Sequence, residues 1–137
     1  MPLLKTDEEL RKAMTAAKTI AVIGLSPDPE KPSNFVPAYL QSKGYKIIPV
    51  NPTVDQVLGE KSYASLAEIP VKIDIVDVFR RAEKTPPIVD EAAKVGAGLV
   101  WLQEGIISAE AAARAEAHGM PIVMDKCLLK EHKRLIG

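Results

Sequence analysis

One cysteine, Cys127, stands in a chain of 137 residues. No internal disulfide framework can form, and a reducing, cytoplasmic setting is the expectation. Net charge is missing as well: 18 basic side chains are balanced by 18 acidic ones. Such a balance offers no field to attract nucleic acid or a membrane surface, so neither is expected as a partner. Long apolar runs are also lacking. The longest, Ile20–Leu25, falls far short of the ~20 residues that a bilayer-spanning helix needs. The opening MPLLKTDEEL has no basic region followed by an apolar core, so no secretory signal is expected. Histidine is scarce: His118 and His132 do not have the spacing of metal ligands, and no metal is expected. No repeat, low-complexity tract or long linker divides the sequence. The length suits one domain over residues 1–137. A charged fraction of 26% against an apolar fraction of 47% is the balance of a globular protein.

What the sequence does have is clear punctuation. Thr6-Asp7-Glu8-Glu9 is a capping box, and Leu10, Met14 and Ala17 recur at helical spacing. A helix from Asp7 to Ala17 follows. Thr19–Ile23 is continuously apolar after its first residue, the pattern of a strand covered on both faces in a parallel sheet. Asn34 or Ser33 is placed to cap a second helix, Pro37 is tolerable in a first turn, and Gly44 stands at the end. Tyr45–Val50 predicts a second strand, halted by Asn51-Pro52. Thr53–Pro70 is broken up by Gly59, Ser62 and Ser65, with one short helical turn capped by Ser65. Ile73–Phe79 predicts a third strand. Thr85 as cap and Pro86 in the first helical position open a helix that ends at Gly96. Leu99–Leu102 predicts a fourth strand. Ser108 caps an alanine-rich helix ending at His118-Gly119, Pro121–Met124 predicts a fifth strand, and Cys127–Leu135 a closing helix.

Strands alternating with helices imply right-handed βαβ units and a parallel sheet with helices on both faces. The expected fold is a three-layer, doubly wound α/β domain. Its strands run in the order 2-1-3-4-5, with room for a short edge strand between Gln56 and Tyr63. The chain reverses direction across the sheet between strands 1 and 3. In such folds ligands bind beyond the carboxyl ends of the strands at that switch point. The rule selects Gly24–Ser26 and Val78–Arg80, flanked by Asn51-Pro52 and Gln103–Ile106.

The stretch TIAVIGLSPDPEKPSNF opens like a nucleotide-binding unit but carries neither familiar glycine signature. A dinucleotide fingerprint needs three closely spaced glycines and an acidic residue after the second strand. Here Gly24 stands alone and the second strand ends in Val50-Asn51-Pro52. An NAD(P)-dependent redox enzyme or sensor is therefore the weaker alternative. A Walker loop fares worse, because Lys31 and Ser33 follow Gly24 without the second glycine. A plainer phosphate site remains. Gly24 and Ser26 offer amides and a hydroxyl, the following helix its positive end, Lys31 a charge, and Arg80 a bidentate grip. The competing reading makes Gly24 a tight turn and both cations solvated surface charges.

AVIGLS, KIIPVNP, KSYASLAEIP, IVDVFR, VWLQEGI and MDKC occur in this order along the chain. With these pieces, the sequence from Ile20 to Leu135 resembles the small stand-alone CoA-binding proteins of the Rossmann type. That family is related to the CoA-binding domain of the succinyl-CoA synthetase alpha subunit. The resemblance implies a Rossmann-like fold and coenzyme A as ligand. It places Gly24, Leu25 and Ser26 at the adenosine and diphosphate end, and Lys31, Ser33 and Asn34 at phosphates. It places Asn51 and Pro52 beside the adenine, and Val78, Phe79 and Arg80 along the other wall. Gln103, Glu104, Gly105 and Ile106 match a Thr-Glu-Gly-Ile turn of the synthetase domain, with Gln103 departing from it.

Coenzyme A is anionic at its ribose end and carries a long, mostly apolar arm. A site for it should lack the acidic residue that NAD wants, as Val50-Asn51-Pro52 does. The synthetases carry their phosphorylated histidine on further domains that this sequence does not show. The implied function is binding of CoA or an acyl-CoA without catalysis, with an adaptor that docks on a CoA-using partner enzyme, or a homo-oligomer, as further possibilities. Cys127 has two readings: a small buried hydrophobe at a helix start, or a thiol near the CoA sulfur. His118 is expected to cap a helix end, and His132 to lie on a solvated helix face. Trp101 is expected in the core, and Lys126, Lys130, Lys133 and Arg134 to complement a helix dipole.

Overall fold

The computed structural model describes residues 3–137, so Met1 and Pro2 of the expected 1–137 domain lie outside it. Helix α1 spans Asp7–Ala16, and its capping box is made: Thr6 Oγ1 accepts from the Glu9 amide, and the Glu9 carboxylate accepts from the Thr6 amide. Strand β1 (Thr19–Ile23) leads to helix α2 (Pro32–Ser42) and strand β2 (Lys46–Val50). A hairpin of β3 (Gln56–Val57) and β4 (Glu60–Lys61) follows. Then come β5 (Ile75–Val78), α3 (Thr85–Lys94), β6 (Val100–Leu102), α4 (Ala109–His118), β7 (Ile122–Val123) and α5 (Leu128–Leu135).

Five strands form one parallel sheet in the order β2-β1-β5-β6-β7, which is the expected 2-1-3-4-5 arrangement. Alternate side chains point to opposite faces. Ala21, Val76, Val100 and Leu102 meet Val89 and Ala92 of α3 and Ala111 and Ala115 of α4. Ile20, Val22, Ile75 and Trp101 meet Leu10 and Met14 of α1, Val36 and Leu40 of α2, and Leu128 of α5. The result is a three-layer, doubly wound, Rossmann-like α/β fold. Trp101 is fully buried, as expected.

Several local details differ from the sequence reading. Helix α2 starts at Pro32, with Lys31 in the cap position and no side-chain cap bond. Proline suits a first helical position because it has no amide to satisfy. Asn34 does not cap. Its amide donates to the Ser26 carbonyl at 2.7 Å. Helix α3 is capped by Lys84, so Thr85 lies inside it and donates back to Ala82 O at 2.7 Å. A 3-10 turn over Ala82–Lys84 runs straight into the helix and shifts its start. The third parallel strand is shorter than Ile73–Phe79. The segment expected to supply an edge strand is mostly the separate β3–β4 hairpin, and only Tyr63 bridges Val50 in parallel. On the other edge Leu3 bridges Ile122.

Both histidines are also placed differently. His118 does not cap carbonyls: its Nε2 lies 2.8 Å from Asp90 Oδ1 on the neighbouring helix, while Gly119 closes α4 at φ +67. His132 is not solvated but 4% exposed, with Nδ1 2.9 Å from the Tyr39 hydroxyl. Arg134 bonds Asp7 with both terminal nitrogens.

Candidate functional site

The carboxyl ends of β1, β5 and β6 open into a cavity of about 910 Å³ at the point where the strand order reverses. This is the size range of small-molecule and cofactor sites. One side is the N-terminal turn of α2, from Lys31 to Val36. The facing side is the chain after β5, from Phe79 to Glu83. The loop after β6 and the start of α5 close the remaining end.

Gly24 lets these walls approach. Its φ is +85, and a Cβ there would lie 2.8 Å from Phe79 O and 3.5 Å from Arg80 Cζ. Any larger residue would be strained and would push β5 away from β1. The Arg80 guanidinium therefore rests against the turn that ends β1. Neither Arg80 nor Lys31 makes an ion pair among the described residues. By contrast, Lys130 Nζ bonds Glu104 at 2.9 Å and Arg81 Nε lies 3.5 Å from Glu83.

The loop between β1 and α2 is held from within. Ser26 Oγ accepts from the Asp28 amide at 3.1 Å, and the Ser26 amide donates to Ser33 O at 3.2 Å. Asn51 Nδ2 donates to Leu25 O at 2.9 Å, and Asn51 Oδ1 accepts from the Thr53 amide and hydroxyl. Asn34 and Asn51 thus brace the loop from two sides.

The β6 loop is tied to the end of β7. Gly105, at φ +85, donates its amide to Asp125 Oδ1 at 2.7 Å, and the Asp125 amide returns to Ile106 O at 3.2 Å. Asp125 itself sits at φ +59, an uncommon conformation for a residue with a side chain. Gln103 Oε1 accepts from the Leu128 amide at 3.0 Å, the first helical amide of α5. Its Nε2 is buried without a partner among the described residues. One strand away, both carboxylate oxygens of Asp77 are also buried without partners among the described residues. Asp77 pairs in register with Trp101, two residues before the cavity wall at Phe79. Burial raises its carboxyl well above the usual range.

Of the residues singled out in the sequence, Lys31, Ser33, Phe79, Arg80, Gln103, Glu104, Gly105 and Ile106 line the cavity. Gly24 does not line it but lies against Phe79 and Arg80, which do. Leu25 and Val78 have their side chains in the two core clusters, and Ser26, Asn34, Asn51 and Pro52 do not line the cavity. Cys127 lines it too, as does Lys130, expected only to complement a helix dipole, and Phe35 and Arg81 line it without having been singled out. Arg81 adjoins Arg80, and Lys130 stands one helical turn after Cys127, so proximity in sequence was the available signal. Phe35, 45% exposed, gave none. Among the described residues no group of three or more His, Cys, Asp or Glu side chains is arranged to hold a metal. Among the described residues no helix is long and apolar enough to cross a membrane.

Fold and cavity together define a Rossmann-like chain with a ligand-sized site at its switch point. Residues 18–133 match the family described as CoA binding domain, and the chain belongs to that family. It is 41% identical over 124 residues to the uncharacterized protein YneT of Bacillus subtilis, covering 90% of this chain and 92% of that one. A hypothetical protein from Pyrococcus horikoshii OT3 superposes with a TM-score of 0.94 at 43% identity, over 97% of this chain and 94% of that one. The acetate–CoA ligase (ADP-forming) II of Archaeoglobus fulgidus is 36% identical over 81 residues. That match takes in 58% of this chain and 12% of the ligase.

Proposed function

We propose that the protein binds coenzyme A, or an acyl-CoA, in this cavity and performs no catalysis on its own. The observation that carries the reading is the pairing of two free cations with an apolar hollow. Lys31 and Arg80 stand on opposite sides of the switch point, above walls that include Phe35, Val36, Phe79 and Ile106. A ligand with phosphates at one end and a long apolar arm matches that division. In this reading Lys31, Ser33 and Arg80 hold phosphates, helped by the positive end of α2. Gly24 gives the close approach, and the braced Leu25–Ser26 segment presents backbone rather than side chain. Asn34 keeps that segment in place. In this reading the adenine reaches past the cavity toward Asn51 and Pro52, which do not line it, and Val78 supports the wall formed by Phe79. Gln103, Gly105 and Ile106 flank the arm.

The fit is supported by chemistry left over in the fold. Gln103 Nε2 has no acceptor among the described residues, and the arm of coenzyme A carries amide carbonyls. The end of β2 carries no acidic residue, which suits a ribose bearing a 3′-phosphate better than the free hydroxyls of NAD. Calorimetric titration of the reduced protein tests the reading, with NAD⁺ and ATP as controls. Saturable heat with coenzyme A and none with the others is expected. Heat with NAD⁺ and none with coenzyme A overturns it.

A further inference from the structure

We propose that Cys127 is a modification site at which the thiol end of the cavity's ligand is captured as a mixed disulfide, by exchange with a disulfide of coenzyme A. The inference rests on reading the cavity as a coenzyme A site. Cys127 is half-buried and lines the same cavity as Lys31 and Arg80. It occupies the cap position of α5, where its side chain makes no cap hydrogen bond. The backbone on either side is pinned to buried side chains. Trp101 Nε1 donates to Lys126 O at 2.8 Å, and Gln103 Oε1 accepts from the Leu128 amide at 3.0 Å. The sulfur is therefore held in the cavity wall by anchors on both flanks.

A second observation at the same corner points to a ligand. Gln103 is 4% exposed, lines the cavity, and is bonded to the residue after Cys127. Its Nε2 nevertheless has no partner among the described residues. Buried amide donors are nearly always satisfied, so one left over in a cavity wall marks where an acceptor belongs. A pantetheine arm brings amide carbonyls and, beyond them, sulfur. With phosphates at Lys31 and Arg80 and an amide at Gln103, the arm runs toward Cys127.

The chemistry is ordinary exchange. Cys127 Sγ, as thiolate, attacks the coenzyme A sulfur of a disulfide. The Sγ–S bond forms as the old S–S bond breaks. The departing thiolate takes up the proton that Cys127 released, so Cys127 is oxidised as the leaving sulfur is reduced and no outside oxidant is needed.

The test incubates the full chain with the oxidised dimer of coenzyme A or with glutathione disulfide, at equal concentration, and follows intact mass over time. Binding in the cavity raises the local concentration of the reacting bond, so labelling by the coenzyme A dimer is expected to be faster by about tenfold or more. The adduct should gain one coenzyme A, be released by dithiothreitol, and form more slowly when acetyl-CoA, which has no free thiol, fills the cavity. Equal rates for the two disulfides, or no adduct, overturn the inference. Calorimetry on the same sample then separates two cases. Retained coenzyme A binding leaves the proposed function standing, and absent binding removes both.

Discussion

The charges on α3 and α4 and those at the cavity mouth behave in opposite ways. On the helices, Arg114 reaches Asp90 and Glu110, both at 2.6 Å, and His118 reaches Asp90 at 2.8 Å. The hydrogen bond from His118, then that from Arg114, holds the Asp90 carboxyl below its usual range. That group is closed on itself. At the mouth, Lys31 and Arg80 have no carboxylate partner among the described residues, and a cavity lies between them. Charges that satisfy one another tie elements together, whereas cations left single above a hollow are available to an anion. The contrast separates paired from unpaired charge more clearly than exposure does, since both groups are solvent-accessible.

The largest expected effect tests whether the mouth is held open by backbone packing. Gly24→Ala places a Cβ 2.8 Å from Phe79 O at a φ of +85. It should lower unfolding free energy by about 3 kcal/mol in urea denaturation. A negligible loss would mean that β1 and β5 part easily there. Next, Arg80→Ala should weaken coenzyme A binding by about tenfold or more in calorimetry, the scale of a lost hydrogen bond to a charged group. A greater loss for coenzyme A than for dephospho-CoA puts Arg80 on the 3′-phosphate, and equal losses put it on the diphosphate.

Two buried titrating groups should show opposite pH signs. His132 is held neutral by desolvation, with the nearby Lys43 charge adding to it, so its folded pKa is lowered. Its contribution is complete above the unfolded value of about 6.5 and is lost as pH falls through the lower folded value. Asp77 is shifted the other way by burial. The folded protein keeps a proton that the unfolded chain gives up above about pH 4, so stability declines as pH rises. Asp77→Asn should therefore gain on the parent protein between pH 4 and pH 7 in denaturant titrations. A constant difference across that range would show Asp77 to be ionised when folded.

The smallest expected effect is the control for the opening contrast. Arg114→Ala should cost less than about 1 kcal/mol of stability, the scale of exposed ion pairs. It should leave coenzyme A affinity unchanged. Weakened binding in that variant would break the distinction between the two charged regions.

Strands and their order were legible because β1, β2, β5 and β6 are short apolar runs bounded by turns, and their alternation with helices admits few topologies. Helix starts were less so. Side-chain capping rules favoured Asn34 and Thr85, but the amide of Asn34 and the hydroxyl of Thr85 are engaged elsewhere, at Ser26 and Ala82. At the site, the switch-point rule selected Gly24, Phe79, Arg80 and Gln103, because strand ends are readable. It did not reach Phe35 or Lys130, which arrive from the flanks of helices that only tertiary packing brings over the sheet. Nor could periodicity show Gln103 bonded to the Leu128 amide, since that pairing spans 25 residues. Asp77, inside IVDVFR, was not singled out in the sequence, and its burial without partners among the described residues emerges only from the packing.

The outermost strands carry one more consequence. Leu3 bridges Ile122 on one border of the sheet, and Tyr63 bridges Val50 on the other. Tyr63 also donates its amide to Pro49 O and accepts from the Asn51 amide, the alternation of a true strand compressed into one residue. Bare strand borders recruit neighbouring chains into aggregates. Here the first residues of the described chain and a single tyrosine occupy some of the hydrogen-bonding positions that such recruitment would need. The sheet whose carboxyl rim opens into the cavity is thereby capped at one point on each of its two borders.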